Sequence, residues 1–269
     1  MPKLFIRQTE VLVAGIKFAE PNYTINFKTN FDYDEDPNEG EIEILNLTND
    51  TISKIEKGQD IILNAGYKDD VGTIFAGAIE KAELKVNFPD RTLKISAYEA
   101  SESYLNTNIS KSYTAGTKAS YIIKDLLGTV GLEIGYFQLS NDITYLSGKI
   151  VSGSLRNAIR DIVINDCSSK IYITNGAVIV RPDGTGNDIG FVLNSDTGLI
   201  ESPSKIDKQS TDGVDTADYS VKCLLNHRVR TDSIFQIESR TANGLFRVNK
   251  GYHQKTDSDF ITYTEVIAV

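Results

Sequence analysis

Between residues 41 and 83 apolar and polar side chains alternate in two runs, 41–47 and 60–64, each bounded by Gly or Asp. A period of two is what a strand with one dry face requires, so this stretch commits the chain to antiparallel sheet. Between the runs Ile52 and Ile55 stand at helical spacing in a polar segment, and Gly58 supplies a turn. After residue 64 the pattern folds back across 68–72 into a second strand. The same phrase returns near the C-terminus: Asp232, Ile234 and Gly244 follow Asp60, Ile62 and Gly72, each 172 residues later. Two copies of one hairpin imply two related β domains.

The rest of the N-terminal third agrees. Residues 4–6 and 11–18 read as strands, Pro21 and Asn22 as a turn, and Tyr23, Ile25 and Phe27 alternate with polar neighbours. Residues 81–87 and 91–98 form a further antiparallel pair around Pro89 and Asp90. About seven short strands in roughly a hundred residues suit a barrel or sandwich, and a closed barrel removes exposed edges.

The middle third changes period. Ala119, Ile122, Ile123, Leu126 and Leu127 lie on one helical face, with Thr117 as the predicted N-cap and Gly128 and Gly131 at the stop. A second helix repeats the spacing at Leu155, Ala158, Ile159, Ile162 and Val163, capped by Ser154. Residues 132–137 read as a strand, and 170–174 with 177–181 flank Asn175 and Gly176, a two-residue hairpin turn. Residues 182–190 are the predicted linker, after which β patterning resumes. The expectation is a mainly β (α+β) chain: a first tube-like barrel over residues 1–105, a small α/β domain over 106–183 and a second barrel over 184–269.

Charge and candidate chemistry narrow the function. The net charge is −9, most of it within residues 1–105, and no basic cluster suits phosphate, so stable nucleic-acid binding is not expected. No run is long and apolar enough to span a membrane, and Arg7, Glu10 and Lys17 interrupt the start where a signal peptide would be apolar. Membrane insertion is therefore not expected. Cys167 and Cys223 read as separate buried thiols. The run Asp32, Asp34, Asp36, Asn38 with Glu43 partly matches a calcium loop, but Pro37 occupies the turn position that needs Gly; a solvated acidic loop is the expectation. Residues 184–190, GTGNDIG, only loosely resemble a phosphate-cradling loop, because a strand follows. His227 and His253 are the only histidines, without metal-ligand spacing, and His227 reads as a surface or capping residue. With no nucleophile elbow and no distinguishable carboxylate pair, no catalytic residue, cofactor or metal site is assigned.

Residues 37–67 followed by 72–79 resemble the N-terminal domain of baseplate hub proteins from bacteriophage tails and phage-tail-like bacteriocins (tailocins). The phrases that carry the resemblance are Asn46-Leu47, a short helix over 51–56, Lys57-Gly58, Ala65-Gly66-Tyr67 and residues 74–79. Residues 221–266 similarly resemble the second hub domain, through Leu224-Leu225-Asn226, Gly244 with Phe246 and Val248, and Tyr252-His253. The chain departs from that pattern at Thr231-Asp232, where the family usually has Pro-Gly. The resemblance implies a non-enzymatic homotrimer whose six barrels form a ring between a hexameric tail tube and a trimeric central spike. Other baseplate proteins and the tape measure would be neighbours. Assembly would occur in the bacterial cytoplasm, before incorporation into the particle. The interaction candidates are the hairpin loops Tyr67, Lys68, Asp69 and Asp70, and Arg240, Thr241, Ala242 and Asn243. The alternative class is a cell-wall or carbohydrate-binding module, or an accessory domain of a tail-associated hydrolase.

Overall fold

The computed structural model describes residues 3–33, 37–99, 102–206 and 217–269. The first β segment contributes β1 (Lys3–Val13), β2 (Ile16–Ala19), β3 (Ile25–Phe31), β4 (Glu39–Leu45), the one-turn helix α1 (Asn49–Ile52), β5 (Asp60–Lys68), β6 (Asp70–Asn87) and β7 (Asp90–Tyr98). The predicted strand over 11–18 is instead two strands. Ala14 and Gly15 take φ of +52° and +71°, a tight turn that sets Val13 opposite Ile16. Thr48 caps α1 by accepting a hydrogen bond from the Thr51 amide at 3.3 Å.

Residues 99–185, with residues 33–37, form a compact unit of their own. It holds α2 (Glu102–Asn106), β8 (Asn108–Tyr113), β9 (Thr117–Lys118), α3 (Ala119–Thr129), β10 (Glu133–Phe137), β11 (Thr144–Tyr145), β12 (Lys149–Ser154), α4 (Leu155–Asp161), β13 (Ser169–Thr174) and β14 (Ala177–Pro182). Helix α3 buries the five apolar residues that its period singles out. Its N-terminus is not capped by Thr117, which lies in β9 and donates to the Thr114 carbonyl at 2.7 Å. Asp142 serves instead, accepting from the Ser120 amide and hydroxyl, both at 2.9 Å. Ser154 stands at the N-cap of α4 in extended conformation, but its side chain makes no capping hydrogen bond, and that helix runs on into a π-helical turn, Ile162–Asp166. The turn between β13 and β14 is Asn175 and Gly176, both at positive φ as the Asn-Gly pair requires.

The C-terminal segment contributes β15 (Asn187–Leu193), β16 (Ser204–Lys205), β17 (Tyr219–Leu224), β18 (Ser233–Glu238), β19 (Asn243–Lys255) and β20 (Phe260–Ala268). The predicted linker over 182–190 is shorter than its composition suggests, because β15 begins at Asn187 and runs parallel to β18. Gly186 is required there: a Cβ would fall 2.5 Å from the Asp232 carbonyl oxygen.

Among the described residues strand makes up 57% and helix 12%, so the fold is mainly β, as the patterning predicts. The first and last β segments lie in one compact unit and share a single 13-stranded sheet. Its order is β16-β17-β20-β19-β3-β4-β7-β6-β5-β1-β2, with β18 paired to β15 and β19, and no closed barrel forms among the described residues. The order holds a repeat. The first segment reads β1-β5-β6-β7-β4-β3 and the last reads β15-β18-β19-β20-β17-β16, the same sequence of elements. The one difference in direction is that β1 is antiparallel to β5 whereas β15 is parallel to β18.

Both long second strands carry a bulge at the corresponding place, between Ile79 and Lys81 opposite β7 and between Val248 and Lys250 opposite β20. The two segments meet where β19, beyond its bulge, pairs antiparallel with β3, Gly251 opposite Phe31 through Lys255 opposite Phe27. Each segment has its own apolar core. The first is built on Phe18, Ile42, Ile61, Phe75 and Ile95 and takes in Leu225 and Phe260 from the last segment. The second is built on Phe235, Ile237, Phe246 and Val266 and takes in Phe31.

Candidate interaction surface

The predicted loop residues divide by burial. In the β5–β6 hairpin Tyr67 lies opposite Asp70, leaving Lys68 and Asp69 as an exposed two-residue turn. Asp69 takes φ of +70°, a conformation that Asp tolerates better than most residues. Tyr67 does not project from the loop. It is buried edge-on against Phe260 at 5.3 Å between ring centroids, and burial pushes its hydroxyl pKa up to about 12.

Asp70 is the hub of a polar cluster that joins the two β segments. Arg228 donates to both of its carboxylate oxygens, at 2.9 and 2.5 Å, and His227 Nε2 lies 3.0 Å from one of them. The bidentate fork is the strong form of this pairing. The Arg228 guanidinium, followed by the His227 ring, holds the Asp70 carboxyl below the usual carboxylate range against the opposing effect of burial. Arg230 adds a second tie, donating to the Thr73 carbonyl at 3.0 Å. Gly72 permits this approach, since a Cβ there would stand 2.2 Å from His227 Nδ1. His227 is thus a half-buried clamp on Asp70 rather than the surface or capping residue its neighbours suggest. Beside the cluster opens a cavity of about 430 Å³, lined by Leu4, Tyr67, Phe191, Leu225, His227 and Arg228 among others.

The second predicted loop, between β18 and β19, is stapled to itself and to β16's approach. Ser239 accepts from the amides of Thr241 and Ala242 at 3.3 and 3.0 Å and donates to the Ala242 carbonyl at 2.8 Å. Thr241 donates to the Pro203 carbonyl at 2.6 Å. Arg240, Thr241 and Asn243 are exposed, and Ala242 is buried.

The Thr231-Asp232 departure has a structural account. Asp232 adopts φ of +63°, the left-handed conformation for which glycine is the usual choice, and its buried carboxylate pairs with Arg247 at 3.0 Å. His253 is also fully buried, with Nδ1 2.8 Å from the Thr262 hydroxyl, and burial lowers its pKa to about 3, so it is neutral.

Among the described residues no three His, Cys, Asp or Glu side chains are arranged to hold a metal ion. Of the acidic run, Asp34 and Asp36 lie outside the described residues; Asn38 accepts from the Asp32 amide at 2.9 Å. The loop GTGNDIG passes into β15. Cys167 and Cys223 are buried free thiols, as their separation predicts. No described helix is long and apolar enough to cross a membrane.

One exposed surface lies outside the predicted interaction loops. Strand β6 has 18 residues against nine in its hairpin partner β5. Among the described residues its overhang, from Lys81 to Asn87, pairs with β7 alone, and it carries exposed Leu84 and Val86, followed by exposed Phe88. The mismatch in length between the two alternating runs is the signal that could have found it.

The family model for Baseplate hub gp41 matches residues 40–252. Comparison with curated proteins gave no match. Among solved structures, the 43 kDa tail protein of prophage MuSo2 from Shewanella oneidensis superimposes with a TM-score of 0.68 at 6% identity, covering 97% of each chain. A tail protein of Neisseria meningitidis MC58 gives 0.65 at 9% identity over 97% of this chain and 96% of that one. The c3393 protein of E. coli gives 0.65 at 8% identity over 96% of this chain and 76% of that one. It is described as a type VI secretion component with structural similarity to the T4 bacteriophage tail proteins gp27 and gp5. At these identities the likeness establishes a shared fold.

Proposed function

Because the chain belongs to the Baseplate hub gp41 family, we propose that it is a structural subunit of a phage or tailocin baseplate, three copies of which close a ring between the tail tube and the central spike. The observation that carries this reading is the repeat of strand order in one sheet. Two like segments per chain let three chains present six like faces to a hexameric tube while keeping threefold symmetry toward a trimeric spike. In this reading the β segments are the two tube-like domains, over residues 1–105 and 184–269, with residues 106–183 as a docking domain. The similarity of c3393 to both gp27 and gp5 supports a spike as one neighbour. Other baseplate proteins and the tape measure would complete the contacts. The ring works by geometry, without turnover. It assembles in the bacterial cytoplasm and becomes part of the particle.

Three copies carry three times −9, or −27, so closure is favoured by salt that screens the acidic faces over a Debye length of about 8 Å. Light scattering across a salt series, with electron microscopy of the same samples, tests the reading. Threefold rings that bind a purified tube or spike protein are the expected result. A chain that stays monomeric with both partners present, or that binds peptidoglycan fragments and hydrolyses them, would overturn it.

A further inference from the structure

The junction between β19 and β3 has an unfilled counterpart. Aligning the bulges of β6 and β19 places Ile79 with Val248 and Lys81 with Lys250, so Leu84, Lys85 and Val86 correspond to His253, Gln254 and Lys255. Carrying the correspondence through β7 and β20 to β4 and β17, Lys28 and Thr29 of β3 correspond to Ser204 and Lys205 of β16. Within the chain, His253 lies opposite Thr29 and Gln254 opposite Lys28. Nothing of the kind exists for β6 beyond its bulge or for the outer side of β16: each has one strand neighbour among the described residues.

Hydrogen-bond direction agrees with the correspondence. Successive residues of an antiparallel strand turn their N–H and C=O to opposite sides. Arg91 of β7 bonds Asn46 through both its amide and its carbonyl, so Arg91 and Leu93 face β4, and Thr92 and Lys94 face β6. Their partners Lys85 and Glu83 therefore face β7, and the backbone groups of Leu84 and Val86 point outward. On β16 the Ile206 amide donates to the Asp218 carbonyl, which turns the Lys205 groups outward. Leu84 and Lys205 are thus both presented to a new neighbour, as His253 and Thr29 are to each other. Burial agrees too: His253 is 1% exposed and Lys255 7%, while their counterparts Leu84 and Val86 are 39% and 60% exposed. The positions that the internal junction buries are apolar and open at the other end of the repeat.

We infer that the outer edge of β6 pairs antiparallel with β16 of a second copy of this chain, Leu84 opposite Lys205 and Lys85 opposite Ser204. The internal junction sets the geometry, and the occupant is a second copy because, among the described strands, β16 is the one that corresponds to β3. The contact is head-to-tail, and repetition of it either closes a ring or grows a filament. It rests on the ring reading for its closure but names a contact that the reading does not require.

The test uses cysteine pairs in the full chain. Lys85 opposite Ser204 would be a non-hydrogen-bonded pair, with Cα atoms about 4.5 Å apart, within disulfide reach. The native thiols are buried and stay out of the reaction. Mixing Lys85→Cys with Ser204→Cys under mild oxidation should give a disulfide-linked dimer that neither variant gives alone, and the double variant should give covalent trimers. Changing Leu84 and Val86 to Lys should weaken association by on the order of tenfold or more, without lowering the melting temperature of the monomer. Trimers that form yet do not cross-link, or Lys85→Cys linking to itself, would overturn the edge assignment and leave the ring reading standing. A chain that remains monomeric at all concentrations would overturn both.

Discussion

Adding one methyl group at Gly40 offers a sharp check on how the first core is built. Gly40 sits in β4 between Thr29 and Ala97, and a Cβ there would fall 2.8, 2.9 and 3.0 Å from Cε2, Cζ and Cδ2 of Phe75. Its φ is unexceptional for a strand, so alanine meets no backbone penalty and the whole cost is steric. Phe75 is fully buried and cannot swing into solvent. Gly40→Ala should therefore cost about 1–3 kcal/mol, the range for overpacking a filled core. A leucine at position 75 lacks the Cε2 and Cζ atoms that make the two nearest approaches. Phe75→Leu alone should cost about 1–2 kcal/mol through lost contacts. The double variant should be little worse than Phe75→Leu, giving a coupling on the order of 1 kcal/mol or more. Urea denaturation of the four chains of the cycle measures this, provided the m-values stay equal. A neutral Gly40→Ala, or two changes that add within about 0.3 kcal/mol, would refute the argument that the ring occupies the space the glycine leaves.

Four further outcomes follow from the polar groups. His253 is neutral when folded and titrates near 6.5 when unfolded, so its contribution is intact above pH 6.5 and declines as pH falls toward 3. From pH 6.5 to 5 the loss should be about 2 kcal/mol, and denaturation of His253→Gln should be nearly flat across that interval. Asp70→Asn should cost about 1 kcal/mol, since Arg228 is half exposed, and an Arg228→Ala, Asp70→Asn cycle should show that the two losses are not additive. Asp232→Gly suits the backbone at φ +63° but takes the carboxylate from buried Arg247; calorimetry should show a net loss of about 3–5 kcal/mol, and a gain in stability would refute the pair's importance. Asp142→Ala should cost about 1 kcal/mol, visible as faster amide exchange in the first turn of α3.

Local structure was legible where one segment's period decided it. The faces of α3 and α4, the Asn175-Gly176 turn and the alternation of β3 to β7 needed no distant partner. The errors came where a partner did intervene. Thr117 has the chemistry of a cap, but Asp142, more than twenty positions later, reaches the helix first. Residues 182–190 have the composition of a linker, yet Gly186 is glycine because the Asp232 carbonyl passes close by. Composition cannot separate a glycine that confers freedom from one that makes room. The repeat was visible in the two hairpins, although its register along the second strand is set by the bulges. Anchored there it runs from 79 to 248, three residues off the offset read from Asp60 and Asp232. In the two hairpin loops the tips Lys68, Asp69, Arg240, Thr241 and Asn243 are exposed, as turn chemistry suggests. The clamp of Asp70 by Arg228 joins residues 158 positions apart and leaves no local trace.

The junction of β19 with β3 also sets a schedule for synthesis. Phe31 meets Gly251, and Phe27 meets Lys255, across more than two hundred intervening residues. A ribosome adding about 5–20 residues per second needs about 10–40 seconds to cover that distance. Throughout that interval β3 has β4 on one side and an open row of amides and carbonyls on the other, with Phe31 lacking the second core into which it will pack. The nascent chain thus spends that interval with a pairing-competent edge in the company of neighbouring nascent chains. Slower initiation on the message, which spaces ribosomes apart, should raise the soluble yield of this protein more than slower elongation, which only lengthens the wait.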